Sequence, residues 1–107
     1  MEKIEMIIGG KLIEMGVTPN LKGFRYIVEG VKILIDDETT NFSTIYENIA
    51  KKFGVTKEGV IRSIITAFNK ANKNSCLYNL YFGTLKTKSN SNCLSVMAWN
   101  IKNMIGD

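Results

Sequence analysis

Residues 44–68 read TIYENIAKKFGVTKEGVIRSIITAF, and the spacing inside this stretch decides the fold. Ile45, Ile49, Ala50 and Phe53 recur at helical intervals and stop at Gly54, a residue free to take the left-handed conformation that closes a helix. Thr44 and Glu47 have the three-residue offset of a capping box, which predicts that the first helix opens there. Thr56 is placed to cap a second helix, expected over about 57–72, with Val60, Ile64, Ala67, Phe68 and Ala71 on one face. Two helices joined this tightly must turn sharply. The pattern is that of a helix-turn-helix over about 44–72, with Val55 plugging the junction and the second helix projecting its N-terminal polar residues.

Outward from this core the chain reads as further helices. Residues 2–15 carry Ile4, Ile7, Ile8, Leu12 and Met15 at helical spacing, and Gly16 follows as a stop. Thr18 before Pro19 predicts the start of a second helix, whose stripe Phe24, Ile27, Val28, Val31, Leu34, Ile35 runs to the acidic cluster Asp36, Asp37, Glu38. Beyond the helix-turn-helix, Leu77, Leu80, Tyr81 and Phe82 predict a short helix ended by Gly83. Residues 84–92 have loop composition, with Thr84 to Lys88 briefly extended at most. A last helix over about 92–105 presents Leu94, Met97, Ala98, Ile101, Met104 and Ile105. Trp99 lies off that stripe and is expected to pack in the core. The fold class is all-α, about six helices in a single domain over residues 1–107.

Composition narrows the function. With 45% hydrophobic and 22% charged residues the chain is an ordinary folded protein. No stretch is apolar enough to span a bilayer, and no secretion signal opens it, so a cytoplasmic location is expected. His is absent, and Cys76 and Cys93 are not in a Cys-x-x-Cys arrangement, which argues against zinc and against Cys-His or His acid-base catalysis. Two buried or partly buried thiols are the expectation for that location. Asp36, Asp37 and Glu38 read as a solvated helix end rather than a metal cluster, and the Met residues as gap-fillers. No phosphate-cradling glycine loop or catalytic pair is visible, so no enzyme, cofactor or metal is expected.

Charge points to a polyanion. Residues 1–47 sum to −3 and residues 48–107 to +7, with nine basic groups in the second part. On the helix-turn-helix reading, Lys51, Lys52 and Lys57 lie near phosphates, and the amides opening the second helix add an anion site. Double-stranded DNA is the expected partner. Arg62 is the candidate base reader, Thr56, Lys57, Glu58, Ser63 and Thr66 are candidate groove contacts, and Lys51, Lys52, Lys86 and Lys88 fall to the backbone.

Residues 4–105 resemble the C-terminal DNA-binding effector domain of the sporulation stage zero A family, the regulators of sporulation initiation. The resemblance is carried by Ile13-Glu14-Met15-Gly16-Val17, Lys22-Gly23-Phe24-Arg25-Tyr26-Ile27, Ile49-Ala50-Lys51-Lys52-Phe53, Val60-Ile61-Arg62-Ser63-Ile64 with Ala67, and Phe82-Gly83. It implies six helices, binding of a short promoter box through the fourth, and tandem pairs or a homodimer on DNA.

Two departures stand out. Family members carry a phosphorylatable receiver domain ahead of this one, whereas the chain opens at the effector domain, as a piece of a longer protein or as a stand-alone homologue. In the reading helix the family pattern Arg-Val-Glu-Arg-x-Ile-Arg is replaced by Gly59-Val60-Ile61-Arg62-Ser63-Ile64-Ile65, where only Arg62 keeps its charge. Each bidentate Arg contact gives about 1–3 kcal/mol of base discrimination, so the family's target box is not expected to be read unchanged. Ile61 and Ile65 sit one turn apart on the flank toward DNA and predict an apolar contact surface, for thymine methyls or a partner protein, the alternative being a small rotation of the helix that buries them in the core. The alternative to a DNA regulator is accordingly an interaction or dimerisation module that kept the fold.

Overall fold

The computed structural model describes residues 2–106, and its helices are α1 (Lys3–Glu14), α2 (Lys22–Asp36), α3 (Phe42–Phe53), α4 (Lys57–Asn69), α5 (Cys76–Phe82) and α6 (Asn90–Ile105). No strand occurs among the described residues, including 84–88.

α2 is the central helix because it is apolar on several sides. It buries Phe24, Tyr26, Ile27, Val28, Val31 and Leu34 and packs against α1, α3, α4 and α6. Three helices converge at Gly30, where a Cβ would make ordinary van der Waals contact at 3.6 Å with side chains of Ile45 and Ile49 and at 3.7 Å with Leu94. Around it Ile8, Leu12, Met15, Ile64, Met97 and Ile101 are fully buried. α5 closes the base through Phe82, whose ring meets Phe68 and Tyr78 edge-on at 5.8 and 5.2 Å between centroids.

Several helix ends differ from the sequence expectation, each for a local reason. α3 opens at Phe42, because the Asn41 side chain accepts from the Thr44 amide at 2.8 Å and leaves Thr44 inside the first turn. α2 opens at Lys22 rather than after Thr18, since Thr18 closes a turn by accepting from the Leu21 amide at 3.2 Å. α4 stops at Asn69. Just beyond it the Asn72 amide leaves the helical path and donates to the Met15 carbonyl at 2.8 Å. α6 opens earlier than expected, at Asn90, where Ser89 accepts from the Asn92 amide at 3.2 Å.

Some side chains also depart from their expected places. Val55 does not plug the turn and is 41% exposed; Trp99 and Leu80 are 64% and 75% exposed. Val55 lies outside both α3 and α4, and for Trp99 and Leu80 the reason is helical phase: α6 buries Leu94, Met97, Ala98 and Ile101, and α5 buries Leu77, Tyr78, Tyr81 and Phe82. Met104 and Ile105 lie past the last buried turn and are exposed. Both thiols are free; Cys93 is buried and its pKa pushed up to about 11 by that burial, whereas Cys76 is exposed, contrary to expectation.

A charged network ties α1, α2 and α3 together on one side. Lys32 lies 3.0 Å from Glu2, 3.2 Å from Glu5 and 3.6 Å from Glu29, and Glu29 also accepts from Lys52 at 2.7 Å.

Candidate nucleic-acid interface

The turn between α3 and α4 is built as its sequence implies. Gly54 has φ 67° and ψ 38°, the left-handed region a Cβ disfavours, and the Val55 amide returns to the Ala50 carbonyl at 3.0 Å. Thr56 then caps α4, its hydroxyl oxygen accepting from the Gly59 amide at 3.0 Å. α4 docks on α2 and α3 through Val60, Ile64, Ala67 and Phe68, all buried.

That docking fixes which residues of α4 face solvent. Glu58, Arg62, Ile65, Thr66 and Asn69 are exposed and share one side of the helix. Ser63 is half-buried on the α2 flank. Ile61 is partly buried against the core, while Ile65 is 47% exposed, so the expected apolar pair resolves into one inward and one outward residue.

The cations expected on the backbone are not equivalent. Lys51, Lys86 and Lys88 are exposed. Lys52 pairs with Glu29 and lies 5.9 Å from the Phe53 ring centroid, which ties it toward α2. Lys57, half-buried, donates to the Ser43 hydroxyl at 2.7 Å and so lies along α3.

Both flanks of the exposed face are walled. On one, residues 88–90 approach α4, and the Asn90 side chain donates to the Ile61 carbonyl at 3.1 Å; Lys88 and Ile65 line the cleft between. On the other, α2 enters at Gly23, where a Cβ would stand 2.2 Å from the Ser63 carbonyl oxygen. Lys22, Arg62 and Thr66 line a shallow cleft of about 240 Å³ there. Neither Lys22 nor Asn69 is a contact candidate by sequence, although Lys22 opens one of the stretches that carry the family resemblance. The i, i+4, i+7, i+8, i+11 spacing from Glu58 contained Asn69, whereas nothing local signalled Lys22.

Among the described residues no group of three or more His, Cys, Asp or Glu is placed to hold a metal ion, and no helix is long and apolar enough to cross a membrane.

Among the described residues six helices form, and the left-handed Gly54 in the tight turn between α3 and α4 makes that pair a helix-turn-helix. The family model described as "Sporulation initiation factor Spo0A C terminal" matches residues 8–101, and the chain belongs to that family of sporulation-related DNA-binding effector domains. No curated protein matches the chain.

Proposed function

We propose that this chain regulates transcription in the cytoplasm by inserting α4 into the major groove of duplex DNA, as one folded unit over residues 1–107. The observation that carries the reading is the outer face of α4: Glu58, Arg62, Ile65, Thr66 and Asn69 all point away from a core that the same helix helps to build. Arg62 is the base reader, with Glu58, Ser63 and Thr66 beside it, and Thr56 and Lys57 at the N-terminal end. Lys51, Lys86 and Lys88 take phosphates; Lys52 does so only by giving up its pair with Glu29.

Ile65 offers a methyl-rich tip where the family pattern has Arg, which favours thymine over guanine at that step. Its sequence preference therefore differs from the family's. The reading is tested by duplex binding across a salt series: affinity falls as salt rises, and Arg62→Ala relaxes base preference at one position. Absence of binding to any duplex at low salt refutes it.

The exposure of Ile65 supports a second reading, in which this face meets a partner protein or a second copy. Ile65→Glu then breaks a complex visible by sedimentation, and a monomer whose DNA binding depends on Ile65 contradicts it.

A further inference from the structure

The two walls beside α4 each carry a lysine, and their placement bears on how the duplex is held. With its side chains an α-helix is about 10–12 Å across, and the major groove is about 12 Å wide, so a helix in the groove fills it. Whatever rises on either side of that helix stands over a phosphate strand.

On one side stands Lys22. Its height relative to α4 is set by Gly23, which brings the α2 backbone so close to Ser63 that no side chain fits between them. On the other side stands Lys88, in the segment held to α4 by the Asn90 to Ile61 hydrogen bond of 3.1 Å. Both lysines are exposed, and among the described residues neither forms an ion pair with a carboxylate; the ion pairs are made by Lys32 and Lys52. Lys88 makes only a long, exposed hydrogen bond to the Leu85 carbonyl at 3.4 Å, so neither cation is neutralised by a carboxylate, and the two face opposite edges of the same helix.

We propose that Lys22 and Lys88 contact phosphates on the two opposite strands bordering the groove that α4 enters, so that the reading helix is straddled by one lysine on each side. The proposal rests on the DNA-binding reading above and adds a contact from α2, outside the helix-turn-helix. It also fixes the polarity of the docking: the α2 wall meets one strand and the loop before α6 meets the other.

The test uses the full chain and a duplex selected by it from random DNA, with affinity followed by fluorescence anisotropy across a salt series. Lys22→Gln and Lys88→Gln each reduce the magnitude of the log–log salt slope by about 0.9, leave base preference unchanged, and keep the circular dichroism of the parent. Lys22→Arg restores the slope. Duplexes carrying uncharged methylphosphonates on one strand at a time then separate the two lysines. Lys22→Gln becomes insensitive to neutralisation of one strand only, and Lys88→Gln to neutralisation of the other. A parental slope in Lys22→Gln, or loss of sensitivity on the same strand for both variants, overturns the straddle while leaving DNA binding intact. If the parent chain shifts no duplex, the DNA-binding reading fails and the straddle with it.

Discussion

The Asn90 side chain donates to the Ile61 carbonyl across 29 residues of sequence, tying the loop that carries Lys86 and Lys88 to the middle of α4. Helix carbonyls in mid-helix are already engaged by backbone, so this bond acts less as a structural necessity for α4 than as an anchor for the loop. Asn90→Ala is expected to cost about 1 kcal/mol in urea unfolding. It should also weaken duplex binding through a displaced Lys88, measured by anisotropy; unchanged affinity would show that the anchor has no part in binding.

Two glycines make opposite predictions for the same substitution. At Gly23 an added methyl meets backbone at 2.2 Å and the Ala67 methyl at 2.7 Å, so Gly23→Ala must push α2 and α4 apart at a cost of about 2–3 kcal/mol. At Gly10, inside α1, nothing lies within 4 Å, and Gly10→Ala should stabilise by about 0.5–1 kcal/mol by removing backbone entropy from the unfolded chain. Thermal or urea denaturation of the pair checks both signs.

Neighbouring isoleucines of α4 separate folding from binding. Ile64 is fully buried and Ile64→Ala should lose about 2–5 kcal/mol, whereas Ile65 is 47% exposed and Ile65→Ala should stay within about 0.5 kcal/mol. Only the Ile65 change should alter which duplexes are preferred. The pairing of denaturation with sequence selection distinguishes the two effects.

The Glu5–Lys32 contact gives stability a pH dependence. The Glu2 backbone and the Lys32 side chain, as hydrogen-bond partners, hold the Glu5 carboxyl below its ordinary value. A carboxyl depressed in the folded state stabilises above its unfolded pKa and loses that contribution as pH falls through the folded one. Lys32, raised mainly by its bond to Glu2, contributes until pH climbs past the ordinary lysine range. Glu5→Gln should therefore lower the urea midpoint at neutral pH and cease to matter well below the usual glutamate range. A difference that persists undiminished in acid contradicts this origin.

The helical core is legible in sequence because it depends on local spacing. The buried faces of α1, α3 and α4 follow the 3.6-residue period, and Gly54 and Thr56 announce the turn by their own chemistry. Trp99 and Leu80 are exposed against expectation, because a large apolar side chain is no guide to phase when its helix already has a continuous stripe. Tertiary pairings were invisible for a different reason: Lys52 with Glu29, Asn90 with Ile61 and Gly23 with Ser63 join residues 23 to 40 positions apart. Those pairings decide which cations are held and which are available, and so the outline of the interface.

The most direct test of the central claim is amide chemical-shift mapping of the chain titrated with a duplex obtained by selection. The largest changes are expected at Arg62, Ile65, Thr66 and Asn69, with smaller ones at Lys22 and Lys88 and none at Met6 or Ile13, which line a groove between α1 and α2 with Phe24 and Val28. Changes centred on Met6, Ile13 and the α1–α2 groove, with α4 unperturbed, would contradict it.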